Sequence, residues 1–423
     1  MRALRIVRRL CSFCRPRIHA KRFEAVLATV GAVFVAQRLS IAALGRQVRG
    51  RARPKHGIKR VDRLLGNSKL HRELTSWYGS LARALLAHVR EPVVLLDWTE
   101  LKDDLYALVA CVPFQGRALP ILARVHPKKR LGHPRVHADF LDDLARVLPP
   151  GSRPVLVADG GFRTPFFDAC VARGFDFVIR LRGSNCAAFF GSAGKVSFEK
   201  LFASATETAR CLGDAKPFAS ANGAMHRLVL SPATKDVVRR RTAEAEELDY
   251  EQRRGLEPWL LVTSFECEPA DRIVRIYATR MQIEETFRDT KSVRFGWALG
   301  QFRSTSTRRT EVLLLVAALA FVATVLIGAA ADSDGLAHAF QANSTKRHRV
   351  LSFFTIGNAA IRSRFAIERL VRSAWARLRA LRASLLDYRA RPRAPTRWAS
   401  RVSSHGLFCA DCGWNGKKYG WPC

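Results

Sequence analysis

Residues 312–331 read VLLLVAALAFVATVLIGAAA, an unbroken apolar run without a single charge. A helix of about 20 residues is roughly 30 Å long, the thickness of a bilayer's hydrocarbon layer. Such a run has two stable solutions: it crosses a membrane, or it is the central helix of a domain and is covered on all sides. Many of its positions are alanine, which gains little in lipid, and the strongly basic segment beyond it would have to be translocated. The central helix is the expectation, and a membrane anchor is the competing reading. A shorter run, EAVLATVGAVFVA (24–36), follows a basic leader as a secretion signal would. The leader is too long and no cleavage context follows, so a buried helix is expected there too.

The remainder of the chain argues for a polyanionic partner. It has 71 Lys+Arg against 36 Asp+Glu, a formal net charge of +35. That excess works against compaction and favours a polyanion. Nucleic acid leads, because neutralised phosphates release counterions whatever the sequence, and an anionic membrane surface is second. The bases are mostly arginine, which suits bidentate phosphate contacts. With 423 residues, 48% hydrophobic and 25% charged, the composition fits two or three folded domains and excludes a disordered chain. The ten cysteines are mostly scattered through apolar segments, as reduced thiols of a cytosolic protein are. Two C-x-x-C pairs, Cys11/Cys14 and Cys409/Cys412, stand at opposite ends. Cys423 could add one ligand to the second pair, but neither has a second pair nearby, so zinc is not expected.

Texture divides the chain. Residues 1–75 are basic and helical, with Ser40 as a candidate N-cap and Gly45 near a helix end. In KHGIKRVDRLLGN, Ile58, Val61, Leu64 and Leu65 share one face and Lys59, Arg60 and Arg63 another. Two short helices with a basic outer face suggest a helix-turn-helix-like DNA-binding domain, and a merely basic helical subdomain is the plainer alternative. Residues 90–183 carry three adjacent strands with FQGR as a hairpin turn, then alternating helix and strand. That pattern describes an α/β fold, a mixed sheet with helices on its faces. Residues 184–258 read as a β-rich insertion, 259–335 return to the sheet and the long apolar helix, 336–390 are basic and helical, and 391–423 form an irregular tail.

Three acids stand out. Asp97 closes the apolar run VVLLD, and Asp159 closes PVLVAD and is followed by Gly160 and Gly161. An aspartate at the carboxyl end of a sheet strand sits at the rim where ligands bind, although an Asx-turn or N-cap role is the commoner fate of one alone. The third lies in YATRMQIEETFRDTK (277–291). On one continuous helix Tyr277, Arg280, Glu284 and Lys291 fall within about 60°, with Arg288 in the same stripe, and Glu285 points about 100° away. Clustered carboxylates repel one another unless cations occupy the site. Hard oxygen donors suit Mg²⁺, and two such ions can activate a water and stabilise a departing phosphodiester oxygen.

LLDWTE, VADGGF, WLLVTS and the helix Y-x2-R-x3-E-x6-K occur in that order, and IKRVDRLLGN precedes them. Over roughly residues 35–335 the chain resembles the DDE transposases of bacterial insertion sequences, specifically the insertion-sequence-four family with its Tyr-Arg-Glu-Lys signature helix. The resemblance implies a ribonuclease H-like catalytic domain with a β-rich insertion before the glutamate. It implies Asp97, Asp159 and Glu284 as catalytic metal ligands for Mg²⁺, with Mn²⁺ as a substitute. Tyr277, Arg280 and Lys291 would hold phosphates of the cleaved end, with Arg288 beside them. Trp259 is the candidate for stacking on an extruded base, a buried strand tryptophan being its plainer alternative. Partners implied are double-stranded DNA, as terminal inverted repeats and target, and a second copy in a homodimeric synaptic complex. A bacterial cytoplasmic, nucleoid-associated location without membrane attachment is implied as well. The family often has an arginine after the second aspartate, where this chain has Gly160 and Gly161 and only later Arg163. A DNA-binding remnant without activity, or a nuclease on the same fold, are the alternatives.

Overall fold

The computed structural model describes residues 2–50, 53–183, 185–191, 194–218, 223–232, 257–342, 345 and 349–386. The chain forms two compact units, Met1–Arg153 with Met281–Arg389, and a second built from Pro154–Arg280. Most of the charged span 235–258 and the tail with Cys409, Cys412 and Cys423 lie outside the described residues.

The first unit opens with helices α1 (Leu4–Leu10), α2 (Ala20–Ala36), α3 (Ile41–Gln47), α4 (Pro54–Leu65), α5 (Ser68–Arg72) and α6 (Leu74–Leu86). Strands β1 (Val93–Lys102), β2 (Leu105–Phe114) and β3 (Arg117–Pro127) follow, then α7 (Pro134–Val147). After the second unit the chain returns as α11 (Met281–Lys291), α12 (Thr307–Ser333), α13 (Phe353–Ser363) and α14 (Ile367–Leu386). The long apolar run is α12, and every residue from Thr310 to Ala331 is buried. It packs against α2, α13, α14 and β3, with α1, α4, α5 and α6 completing its surroundings. Protein therefore covers the faces that a membrane span would turn to lipid. Near its start Glu311 accepts hydrogen bonds from Val125 N (3.0 Å) and pairs with His71 Nε2 (2.6 Å). A polar group in so apolar a helix persists because it is matched on both sides.

Ser40 caps α3 as expected, its hydroxyl accepting from Ala43 N at 3.3 Å. Gly45 stands in the last turn of α3, near its end as expected, and also has a packing role. A Cβ added there would overlap the Ile58 backbone, and a Cβ on Gly57 would overlap the Gly45 carbonyl. The two glycines let α3 and α4 cross in backbone contact. Val61, Leu64 and Leu65 of α4 are buried and Ile58 is half-buried, while Lys59, Arg60 and Arg63 are exposed. Asp62 ties this helix to Arg309 of α12 at 2.5 Å.

Strands β1, β2 and β3 form an antiparallel meander. Its second connection is the two-residue turn Gln115–Gly116, with φ of 46° and 92°. Two successive left-handed residues make the type I′ turn that matches strand twist, which is why glycine stands there. Asp97 does not close its strand: β1 runs on to Lys102, and Asp97 faces Val109 of β2 across the ladder. The polar half of β1 stays extended because it pairs with LYAL of β2. Its neighbour Trp98 donates from Nε1 to His137 Nε2 of α7 at 3.0 Å. Burial holds the His137 imidazole down at about 4, with His126 and His133 adding to the effect. A neutral buried histidine contributes stability that is complete above its unfolded value of about 6.5 and is lost as pH falls towards 4. The expected loss is up to about 3 kcal/mol from this residue. Denaturant midpoints at pH 7 and 4.5 measure it, and His137→Gln flattens the difference.

The second unit places β4 (Val155–Ala158) parallel to β5 (Asp176–Leu181), joined through α8 (Thr164–Val171). Strand β10 (Leu260–Thr263) pairs antiparallel with β5 and with β9 (His226–Leu230), and β8 (Arg210–Ala215) pairs with β9. A small pair, β6 (Ala187–Phe189) with β7 (Lys195–Ser197), and helix α9 (Phe198–Ala203) precede β8. The unit ends with α10 (Ala270–Ala278) packed on β4, β5, β8 and β9.

The stretch 277–291 is not one helix. Helix α10 ends at Ala278 and α11 begins at Met281, with Thr279 and Arg280 in a turn at the boundary of the units. The Thr279 and Arg280 amides bond three residues back, to Ile276 and Tyr277, which tightens and ends the α-helical ladder. The angular relations expected for one continuous helix therefore hold for Glu284, Arg288 and Lys291 only.

Candidate active site

In the first unit α11 packs on β1, β2 and β3, so its side chains share a neighbourhood with Asp97. Burial lowers the Lys291 ammonium to about 8, and the Glu100 and Asp97 carboxylates act against that shift. Lys291, Asp97 and Glu100 thus form one electrostatic group, of which Glu100 was not expected, although it stands in the quoted LLDWTE. Asp97 and Glu284 are half-buried. Glu284, Arg288 and Lys291 lie along one face of α11, as spacings of three and four residues require. Glu285 is turned elsewhere: it pairs with Arg117 at 3.3 Å and with Arg288.

In the second unit Asp159 follows β4 directly, as expected. Its Oδ1 accepts from Gly161 N at 2.9 Å, the Asx turn that strand-end aspartates often make. Its Oδ2 lies 3.7 Å from Arg280 Nη2. Tyr277 is buried, which raises its hydroxyl, while Arg280 and Arg180 oppose the rise. Trp259 is half-buried, and its ring meets Tyr277 edge-on with centroids 5.0 Å apart. The expected Tyr277, Arg280, Asp159 and Trp259 are therefore neighbours in this unit.

Arg180 completes the group and was not anticipated. It lies in β5, 7% exposed, and its Nε and Nη2 have no hydrogen-bond partner among the described residues. The Glu257 carboxylate stands 4.0 Å from its Nη2. Burial, then Arg182, pulls the guanidinium down to about 10, against the influence of Tyr277 and Glu257. Holding it charged costs about 3 kcal/mol at neutral pH. The signal was present in FDFVIRL, an arginine inside an otherwise apolar strand. Gly160 has its reason here as well: a Cβ on it would stand 2.9 Å from Arg182 Cβ and 3.3 Å from Arg180 O. The glycine pair admits this arginine-bearing strand. Arg163 is engaged locally, donating from Nη1 to Arg182 O at 3.3 Å and lying over the Phe218 ring.

A buried, under-partnered guanidinium is completed by an anion that brings its own oxygens. If the partner is the DNA expected from the sequence, Arg180→Met should raise the unfolding midpoint while weakening duplex binding at least tenfold. Its log-affinity against log-salt slope should shrink by about one. Melting curves and salt-dependent binding isotherms read the two effects separately. Equal DNA binding by the variant would remove Arg180 from the interface.

A family model described as the transposase DDE domain matches residues 90–322, over half of the chain. The chain belongs to this family. The matched span of the transposase domain runs from just before β1 into α12 and contains Asp97, Asp159, Glu284 and Lys291. No curated protein matches the chain. Membership makes the protein a transposase, a nucleic-acid-processing enzyme with DNA as substrate, on a mixed α/β architecture. Within either unit, among the described residues, no three His, Cys, Asp or Glu side chains gather into a ligand set for a metal ion. Asp97 and Glu284 belong to the first unit of this transposase and Asp159 to the second.

Proposed function

We propose that this transposase moves an insertion sequence of the insertion-sequence-four type by cut-and-paste, nicking the element's ends by hydrolysis and joining the freed 3′-OH to target DNA. Its ribonuclease H-like core would use Asp97, Asp159 and Glu284 as metal ligands. The observation that carries the reading is the pairing of acids with cations drawn out of solvent: Asp97 near the half-buried Lys291, and Asp159 near the buried Arg280. Acids for a metal and bases for phosphate, side by side, are what phosphodiester chemistry requires.

The donor set fits a hard divalent cation, since Asp97 and Glu284 are half-buried carboxylates. The sulfur near Asp97, that of Cys111, is kept protonated by burial. Mg²⁺, or Mn²⁺ in its place, would polarise the scissile phosphate and acidify the attacking water. The protein's own groups do the rest. Lys291 offers a proton-bearing amine beside Asp97, where it balances carboxylate charge and can hold a phosphate oxygen. Arg180, Arg280 and Tyr277 orient the backbone of the bound end, and Trp259 offers its accessible part to an unstacked base. Arg288 is exposed for a further phosphate contact, and Lys59, Arg60 and Arg63 present a basic face to the duplex. Synapsis of two ends by a homodimer in the bacterial cytoplasm completes the reading. A short duplex bearing the element's end, offered with target plasmid, tests it. Joined products support transposition, cleavage without joining supports a nuclease, and binding alone supports an inactive DNA-binding remnant.

A further inference from the structure

Helix α11 is poorly held by apolar contacts. Ile283 is its only fully buried apolar side chain, the other buried residues being Thr286, Asp289 and Thr290. Apolar packing on so narrow a base leaves rotation about the helix axis weakly specified. What fixes it is the tip of the β2–β3 hairpin. Gln282 Oε1 accepts from Phe114 N at 2.9 Å and from Gly116 N at 3.2 Å. One turn on, Thr286 Oγ1 accepts from Ala118 N at 2.8 Å and lies 3.0 Å from Ala118 O. A further turn on, Asp289 Oδ2 accepts from Arg117 Nε at 2.5 Å, and Arg117 also reaches Glu285 at 3.3 Å. The stripe 282–285/286–289 is thus bonded to four residues of the hairpin tip, Phe114, Gly116, Arg117 and Ala118. At roughly 100° per residue it lies on the side of the helix opposite Glu284 and Lys291.

We propose that the hairpin tip is a rotational lock for α11, and that Gln282, Thr286 and Arg117 are positioning residues for Glu284. The type I′ turn presents the Gly116 amide to Gln282, so the turn chemistry of FQGR serves the site as well as the sheet. A metal-binding carboxylate must be held within about 0.5 Å and 10–20° of its working geometry, and rotation of α11 by that angle displaces Glu284 beyond the limit. The inference rests on the reading of Glu284 as a metal ligand.

Gln282→Met, Gln282→Glu, Gln282→Asn and Glu284→Gln test it in the full chain, by Mn²⁺ titration followed through the free-ion EPR signal and by the Mg²⁺ dependence of end nicking. Gln282 is half-exposed, so Gln282→Met is expected to melt with the parent protein. It should weaken Mn²⁺ binding at least fivefold and shift the Mg²⁺ requirement by a similar factor, with end binding unchanged. Gln282→Glu, which keeps the acceptor, should restore both within about twofold. Parent-like Mn²⁺ binding and Mg²⁺ dependence in Gln282→Met would overturn the lock. Should that variant melt early, Gln282→Asn, which withdraws the amide by one methylene, is read in the same way. If Glu284→Gln leaves Mn²⁺ binding unaltered, the metal-ligand reading fails. If it abolishes binding while Gln282→Met does nothing, only the lock fails.

Discussion

Asp97→Ala, Asp159→Ala and Glu284→Ala each lower nicking of end DNA by at least about a thousandfold, some 4 kcal/mol of barrier, and leave end binding within about twofold. The split follows from the division of labour proposed for the residues. Carboxylates hold the cation and do nothing for affinity towards a polyanion, and removing one even relieves repulsion. Cations hold the DNA. Glu285→Ala is the internal control, because Glu285 is engaged with Arg117 and Arg288. It should lose less than tenfold in nicking. Gel-shift affinity and initial nicking rates, measured on the same preparations, give the comparison. A parallel fall of binding and nicking would contradict the assignment of the acids.

Gly328→Ala is expected to destabilise the first unit by about 3 kcal/mol or more, towards the upper end of what overpacking costs. Gly328 lies within α12, where glycine sacrifices about 1 kcal/mol of helix propensity relative to alanine. The return is close approach. A Cβ at Gly328 would overlap the Phe353 carbonyl of α13, and a Cβ at Gly357 of α13 would overlap the Thr324 carbonyl of α12. The contact is reciprocal and made by backbone, so no side chain can swing aside to relieve it. Gly31→Ala in α2 is the contrast: its Cβ would meet only the flexible Leu4 side chain, at 3.2 Å. That variant should be neutral or slightly stabilising. Denaturation midpoints of the two variants decide the matter, and a Gly328→Ala protein as stable as its parent would refute the packing account.

Much of this architecture was legible in the chain. The hydrophobic run at 312–331 announced a fully covered helix, FQGR announced its hairpin, and the spacing of α4 put Lys59, Arg60 and Arg63 on the outside. Local patterns that depend on one residue and its near neighbours were readable in this way. The failures share a cause, which is that partners distant in sequence decided the outcome. Asp97 looked like a strand end because the polar half of β1 is extended only through its pairing with β2. The signature stretch looked like one helix because nothing in YATRMQ marks the turn at Thr279–Arg280. The packing role of Gly45 went unread because the neighbour that requires it, Ile58, belongs to the next helix. Arg180 passed unnoticed although an arginine inside an apolar strand is itself a signal. Asp97, Asp159 and Glu284 were singled out as candidate ligands by type and order along the chain, and Lys291 and Arg280 as candidate phosphate contacts by the signature spacing. The burial of Arg280, the half-burial of Lys291 and the hairpin grip on α11 are properties of the folded units alone.

The most direct measurement incubates the purified protein with a duplex carrying the terminal repeat from the DNA flanking its gene, and follows strand products. Conditions are Mg²⁺, EDTA, and Mg²⁺ with Glu284→Ala. The account predicts nicking at the repeat end that needs Mg²⁺, disappears in Glu284→Ala, and is followed by joining of the new 3′-OH to target DNA. Cleavage that persists in EDTA or in Glu284→Ala, or firm binding of the end with no cleavage at all, would contradict it.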